Sequence, residues 1–199
     1  MPSPKADAIV FKWRAPPTDA GRLAEAIQAA ARAQALPVAA VAVNVSLDGA
    51  EAYSYLWLRE PTDVAPAPLA QAVAAASGGT AVAADRLACV QDIRGASHGA
   101  PVAFHYVLET DVVPEGEHEL NDWYDREHLP GLAAVPGTVR AQRFRNLDGA
   151  PRYHSIYELA RQDAFESPPW LEVRHTAWSD RVRPTFRNTK RTMFRRVTG

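Results

Sequence analysis

The sequence contains a single cysteine, Cys89, among its 199 residues. A disulfide framework within the chain is therefore excluded, and we expect a reducing compartment. Apolar neighbours, Leu87 and Val90, predict that Cys89 is a small core residue on a buried strand. The N-terminus carries one lysine and only a short apolar run before Lys12. We expect neither a secretory signal nor a membrane anchor, and a cytoplasmic location follows by default.

The chain also lacks a strong charge imbalance and the common cofactor motifs. Its formal net charge is −1, which gives no reason to expect nucleic acid as a partner. No H-x-x-x-H or H-x-x-E-H spacing occurs, and His118 and His128 lie ten residues apart, so we find no metal signature. Neither G-x-G-x-x-G nor G-x-x-x-x-G-K is present, which argues against the usual dinucleotide and phosphate sites. We therefore expect neither a metal nor an organic cofactor.

The chain does contain a repeated order of predicted elements. Alternating apolar residues predict strands, and runs rich in alanine and leucine predict helices. The predicted order is strand, helix, strand, strand, helix, strand, over residues 8–13, 20–36, 38–47, 52–58, 69–76 and 87–93. The same order recurs over residues 102–109, 117–129, 138–145, 153–159, 170–174 and 191–197.

The two predicted hairpins match each other at a spacing of 100 residues. Leu-Asp-Gly-Ala begins at Leu47 and again at Leu147, and a tyrosine follows three residues later in each, at Tyr53 and Tyr153. The repeat predicts an α+β fold of two tandem ferredoxin-like units, residues 1–98 and 99–199. We infer that their antiparallel sheets pair into one α/β barrel.

Residues 119–132 are the stretch richest in groups that can do chemistry. At about 100° per residue, a helix here places Leu120, Asn121, Tyr124 and His128 on one face. Pro130-Gly131 is predicted to end this helix. His128 would then lie at the helix C-terminus, where the macrodipole favours the imidazolium and raises its pKa.

The helix in the corresponding position of the first unit, residues 20–36, is built from alanine, leucine and isoleucine. A helix that only covers a sheet therefore needs no polar inward face. The second unit equips the same position with an amide, a phenol and an imidazole, so we expect the functional site there.

Residues 119–137, with the strand 140–144 and the hairpin strand 153–159, resemble the EthD-like branch of the dimeric α/β barrel superfamily. That branch has the pattern F/L-N-x-W-Y-x-x-E-H-x-P, then V-P-G, and later W-x-x-R-x-R-P, which appears here at residues 178–184. The resemblance covers roughly residues 104–197, and only the order of elements extends it to the first half.

The resemblance implies a ferredoxin-like barrel with a small-molecule site between helix and sheet. Catalysis in this superfamily typically needs no metal or organic cofactor and includes cyclisation, isomerisation and oxygenation of electron-rich aromatics, and haem-handling relatives exist. The simplest members form the barrel between two chains. Here one chain supplies both units, which leaves a monomer with an intramolecular barrel or a homodimer.

His128, Asn121 and Tyr124 are the candidate catalytic residues. The imidazole of His128 is a candidate general acid or base, and the alternative is a structural histidine bonded to the backbone or to Glu127. Asn121 and Tyr124 are candidate donors to a substrate oxygen. Their alternatives are local, with the asparagine capping a loop and the tyrosine filling the core.

Four further residues are candidates for substrate binding: Trp123, His105, Arg143 and Tyr157. His105 is interior on either face of its strand, and a hydrogen-bonded core histidine is the favoured interpretation. For Arg143, an ion pair with Glu109 is favoured over contact with an anionic substrate. Tyr157 and His154 must point to opposite faces of their strand.

Aromatic side chains predict the walls of a pocket, although plain packing explains most of them. The relevant residues are Trp123, Trp170, Trp178, Phe104 and Tyr106. A basic stretch, residues 181–196, is predicted to be a partly solvated surface with one or two arginines directed at an anionic group.

The leading hypothesis is a cofactor-independent enzyme that acts on an aromatic or enolisable carbonyl compound by acid-base catalysis at His128. Its class would be isomerase, cyclase, lyase or oxygenase, and its partner a small hydrophobic or aromatic molecule. Two alternatives remain open at this point, a non-catalytic binding or carrier protein of the same fold and a haem-handling protein.

Overall fold

The computed structural model describes residues 4–14, 19–77 and 82–199, and its elements follow the predicted order. The strands are β1 Ala6–Arg14, β2 Val38–Ser46, β3 Glu51–Thr62, β4 Val82–Arg94, β5 Phe104–Val112, β6 Thr138–Asn146, β7 Tyr153–Leu159 and β8 Phe186–Thr198. The helices are α1 Ala20–Ala33, α2 Pro66–Ser77, α3 Glu117–Trp123, α4 Leu129–Ala133, α5 Pro168–Arg174 and α6 Ala177–Val182. A π-helical turn, Tyr124–His128, joins α3 to α4, and 3-10 turns occupy Pro114–Gly116, Gln162–Ala164 and Arg183–Thr185.

Unit 1 takes its described residues from Met1–Cys89, Asn146–Gly149 and Met193–Gly199. Its strand order is β4-β1-β3-β2-β8, with antiparallel pairing of β1 to β3 and β4, and of β2 to β3 and β8. The sheet is covered by α1. The N-cap of this helix is Asp19, whose side chain accepts a hydrogen bond from the Arg22 backbone N–H. The alanine-rich face of α1 gives unit 1 an apolar core.

Unit 2 takes its residues from Val90–Arg145 and Ala150–Thr192. Its strand order is β8-β5-β7-β6-β4, with β7 antiparallel to both β5 and β6. On one face of this sheet, Tyr106 lies opposite Tyr157, and Leu108 lies opposite Ser155. On the other face, His105 lies opposite Glu158, and Glu109 lies opposite His154. This alternation decides which side chains can share a site.

The eight strands have a closed hydrogen-bonded order, β1-β3-β2-β8-β5-β7-β6-β4. β4 and β8, each 13 residues long, contribute residues to both units. The predicted α+β barrel built from two ferredoxin-like units is confirmed. The boundary of the repeat between residues 98 and 99 stays a prediction.

The prediction that Pro130-Gly131 ends the helix is wrong. The chain passes through the π-helical turn into α4, where Pro130 lies in the first turn and its missing N–H costs little. Gly131 has a packing role instead, because a Cβ atom added there would lie 2.8 Å from Cγ1 of Val173. The glycine thus permits the close approach of α4 to α5.

The prediction that Cys89 is a core residue is also wrong, because its side chain is exposed. The pairing of β4 with β1 ends at Leu87, which is fully buried, and the backbone N–H of Cys89 donates instead to Asp7 Oδ2. The apolar neighbours of Cys89 misled the prediction, since Val90 is 43% exposed. Within the described ranges, no helix has both the length and the apolar character needed to cross a membrane.

Candidate functional site

Unit 2 contains a narrow cavity of about 20 Å³ between one face of its sheet and its helices. Five aromatic rings form much of its wall: Tyr106, Trp123, Tyr157, Trp170 and Phe186. His128, Leu108 and Leu132 line it as well, together with three arginines, Arg174, Arg183 and Arg191. Ligand sites commonly combine apolar or aromatic walls with a few polar groups, and this cavity has that composition.

The π-helical turn brings Trp123 and His128 together. In an α-helix, residues five apart point about 140° away from each other. The i to i+5 bonding of a π turn, here from Leu129 N–H to the Tyr124 carbonyl, places such residues side by side. The rings of Trp123 and His128 consequently stack with centroids 4.0 Å apart. The sequence-based helix model omitted Trp123 from the inward face for this reason.

Glu127 fixes the Trp123 ring in this position. Its Oε1 accepts a hydrogen bond of 3.1 Å from the indole Nε1 and another of 2.5 Å from the Thr176 hydroxyl. Thr176 also caps α6 by accepting from the Ser179 backbone N–H. One carboxylate therefore ties the π turn to the start of α6, and it bonds Trp123 rather than the His128 ring that sequence reasoning had proposed.

The predicted rise in the pKa of His128 is wrong in direction. Burial is the larger cause, and together with the charges of Arg174, Arg183 and Arg143 it lowers the pKa of the imidazole from 6.5 to about 3. Desolvation penalises the imidazolium because the ring is only 6% exposed. His128 is also not at a helix C-terminus, since α4 follows it. Its Nδ1 is buried and has no hydrogen-bond partner among the described residues.

Arg143 does not pair with Glu109 as predicted. Arg143 lies opposite Ser155, and Glu109 lies opposite His154, so the two side chains project from opposite faces of the sheet. The Glu109 carboxylate lies 3.4 Å from His154 Nδ1 instead.

The Arg143 guanidinium is fully buried among groups of unit 2. It donates to Asn121 Oδ1 at 2.9 Å and lies 4.2 Å above the Tyr124 ring and 4.5 Å above the Tyr153 ring. Burial lowers its pKa. In the described part of the chain it forms no ion pair, so two aromatic faces and an amide are what hold this cation.

The structure brings three of the seven candidate residues to the cavity wall: His128, Trp123 and Tyr157. Asn121, Tyr124 and Arg143 are outside the lining but contact one another behind it. Burial raises the pKa of the Tyr124 phenol and raises that of the Tyr157 phenol well above 10. Each of the two therefore keeps its proton at neutral pH. His105 is fully buried on the sheet face opposite Tyr106 and Tyr157, and it is not brought to this cavity.

Sequence reasoning missed Arg174, which lies before the basic stretch it had singled out. Arg183 and Arg191 belong to that stretch, but nothing in the sequence separated them from their neighbours there. Of the predicted aromatic walls, Trp170, Tyr106 and Trp123 line the cavity, whereas Trp178 and Phe104 do not. In the part of the chain that the structure describes, no group of three His, Cys, Asp or Glu residues is placed to hold a metal ion.

A G-x-S-x-G pentapeptide occurs at residues 95–99, but its context is not that of a hydrolase nucleophile. Such a serine stands exposed on a sharp turn between a strand and a helix. Here the pentapeptide follows β4 as a hydrogen-bonded turn that leads to β5. The Ser97 hydroxyl accepts from the Gly137 backbone N–H, which gives it a structural bond within unit 2.

No family model and no curated protein matches the sequence, but solved structures match its fold. A proposed monooxygenase from Lactobacillus acidophilus is 12% identical, with a TM-score of 0.66 over 99% of this chain and 95% of that one. A chlorite dismutase from Candidatus Nitrospira defluvii is 10% identical, with a TM-score of 0.62 over 97% and 92%. An anthrone oxidase-like protein is 14% identical, with a TM-score of 0.57 over 96% and 91%. At these identities the likeness shows a shared fold.

Proposed function

We propose that the protein is a cofactor-independent enzyme of the EthD-like branch that acts on an aromatic or enolisable carbonyl compound. One observation carries the proposal, a neutral imidazole, His128, in the wall of an aromatic cavity. The motif in residues 119–137 supports the EthD-like assignment. The fold is shared with a proposed monooxygenase and an anthrone oxidase-like protein, which is consistent with a small-molecule enzyme.

His128 is the general base in this proposal, and in the free protein it is a weak one because its pKa is about 3. A neutral imidazole accepts a proton from the carbon next to a carbonyl, and the electron pair of the broken C–H bond moves onto the carbonyl oxygen. The Tyr157 hydroxyl keeps its own proton because burial raises its pKa, so it is available to donate a hydrogen bond to that oxygen. Positioned proton transfer of this kind contributes about 10²–10⁴ in rate.

Asn121 and Tyr124 act through Arg143 in this proposal. The amide oxygen and the phenol ring hold the buried guanidinium behind the cavity wall. The positive charge lies near enough to His128 to lower its pKa, and it equally favours an enolate formed in the cavity. Asn121 and Tyr124 are therefore positioning residues, and His128 and Tyr157 are the groups that touch the substrate.

Haem does not fit this cavity, although the fold is shared with a chlorite dismutase. A porphyrin needs a wide, flat slot. The rings of Tyr106, Tyr157 and Trp170 instead pack against one another, with centroids 5.3–6.0 Å apart. We therefore assign no step to haem, and we expect no Soret shift when haemin is titrated into the protein.

The test is deuterium exchange at the methylene group of anthrone or 2-tetralone in D₂O, followed by NMR. The wild-type protein should accelerate the exchange, and His128→Gln should lose about 10²–10⁴ of that acceleration. His118→Gln is the matched control, because that side chain is 91% exposed. Full acceleration by the His128→Gln variant would show that His128 is not the general base. Tight binding of the ketone by the wild-type protein without any acceleration would favour the carrier alternative.

A further inference from the structure

Three arginines from three different elements converge on the cavity of unit 2. Arg174 is the last residue of α5, Arg183 follows α6 directly, and Arg191 lies in β8. All three line the same cavity as the aromatic rings and His128. A neutral apolar ligand does not require three positive charges around it. Like charges brought close together also repel each other.

Acidic side chains do little to neutralise this group. Among the described carboxylates, the Arg174 guanidinium pairs only with Glu166, whose Oε1 is 3.9 Å away and whose side chain is 60% exposed. Neither Arg183 nor Arg191 forms an ion pair with a carboxylate of the described residues. Arg183 instead donates to the Arg174 backbone carbonyl at 3.4 Å.

Arg181, only two residues before Arg183, shows the contrast. Its Nε lies 3.3 Å from Glu119 Oε1, and the side chain is 60% exposed, as is usual for a surface ion pair. The pKa of Arg183 is lowered by burial first and then by the charges of Arg174 and Arg191. The charges of the arginines that line the cavity therefore act on one another, whereas Arg181, their neighbour on α6, is paired with the carboxylate of Glu119.

We propose that Arg174, Arg183 and Arg191 bind a carboxylate on the substrate, so that the substrate is an aromatic acid. This inference rests on the proposed function and narrows its substrate class. The planar guanidinium fork matches the geometry of a carboxylate and can bind both of its oxygens. The carboxylate of the acid points toward the arginines. The rings of Tyr106, Tyr157 and Trp170, which pack against one another in the free protein, move apart to admit the ring of the acid.

A bound carboxylate also changes His128. The charges of Arg174 and Arg183 help to lower the pKa of its imidazole, so a negative charge placed between them raises that pKa. A higher pKa makes the imidazole a stronger base. Binding of the acid group thus prepares the base for the proton that it removes.

Benzoate and benzamide are the probes for the test, because they differ in charge and hardly in shape. Binding to the full chain is measured by calorimetry and by quenching of tryptophan fluorescence, since Trp123 and Trp170 line the cavity. We expect benzoate to bind at least about tenfold more tightly than benzamide. The double variant Arg174→Gln/Arg183→Gln should abolish the preference, and Arg181→Gln should keep it.

Equal binding of the two probes overturns the carboxylate site while leaving the proposed function standing, because the neutral probe then still occupies the cavity. A preference that survives in the double variant also overturns it. Failure of both probes to bind overturns both proposals. If the double variant does not fold, the salt dependence of the wild-type protein decides, since only benzoate affinity should fall as ionic strength rises.

Discussion

The two units solve the same packing problem with different side chains. In unit 1, α1 covers its sheet with Leu23, Ile27 and Ala31, which pack in one apolar cluster with Phe11 and Trp13. In unit 2, the helix in the same position of the repeat presents Trp123, Tyr124 and His128 and contributes to a cavity. A helix that only has to cover a sheet needs apolar residues, so the cost of burying an imidazole in unit 2 indicates a function.

The largest expected effect concerns the cost of burying His128. Its pKa is 6.5 in the unfolded chain and about 3 in the folded one, so between these values the unfolded chain binds a proton that the folded chain does not. Stability therefore falls as pH falls through this window, by at most about 5 kcal/mol. Urea unfolding between about pH 7 and pH 3 should show a shallower decline for His128→Gln than for the wild type.

The exposed His118 supplies the control for this experiment. His118→Gln should show the wild-type pH dependence, because the side chain is 91% exposed. Identical pH dependence of His128→Gln and the wild type would contradict the burial cost, and with it the distinction between the two units.

The next effect separates stability from chemistry. Leu23 is 1% exposed in the core of unit 1, and Leu23→Ala should lower the free energy of unfolding by about 2–5 kcal/mol through a cavity. The rate at which each folded molecule catalyses deuterium exchange of anthrone or 2-tetralone should stay at the wild-type value. A loss of exchange comparable with that of His128→Gln would show that unit 1 also takes part in the chemistry.

A third comparison concerns a half-buried cation in unit 1, Lys12, and a fully buried one in unit 2, Arg143. Lys12 in unit 1 lies 2.8 Å from Asp85, and its removal leaves that carboxylate with fewer partners, so Lys12→Met should destabilise by about 1–3 kcal/mol. Arg143 in unit 2 makes no ion pair with a described carboxylate. Arg143→Met should therefore leave the free energy of unfolding unchanged or raise it. The same substitution should slow the catalysed deuterium exchange of anthrone or 2-tetralone. Equal destabilisation by both substitutions would argue that Arg143 is a structural residue.

The smallest effect tests the contact that positions Trp123. Glu127→Ala removes the acceptor for the indole and the Thr176 hydroxyl, and we expect about 1 kcal/mol of destabilisation together with a weaker near-ultraviolet circular dichroism signal. Glu127→Gln keeps an acceptor oxygen and should restore much of that signal. Asp125→Ala, an exposed position in the same turn, should change neither quantity.

The sequence predicted the fold better than the site. Period-2 and period-3.6 patterns, with the Leu-Asp-Gly-Ala repeat, were sufficient for both β-α-β-β-α-β units, because these signals are local. The site depends on the π turn, and an α-helical wheel left Trp123 out of the inward face. The backbone preferences of proline and glycine predicted a helix end at Pro130-Gly131, whereas Gly131 permits the contact with Val173.

Register and burial account for the other wrong predictions. The pairing of Arg143 with Glu109 was excluded by strand register, which a single sequence does not reveal. The direction of the His128 pKa shift depended on burial and on Arg174, a residue distant in sequence. Both quantities arise from tertiary packing, so only the structure supplies them.

The most direct test of the account is the protonation of His128 itself. With the imidazole labelled by ¹³C and ¹⁵N, NMR titration should show His128 still neutral at about pH 5. A neutral His128 at that pH is the result we predict for a buried base in the cavity wall. Titration of His128 near its ordinary pKa of 6.5 would contradict the burial and electrostatics on which the proposed function depends.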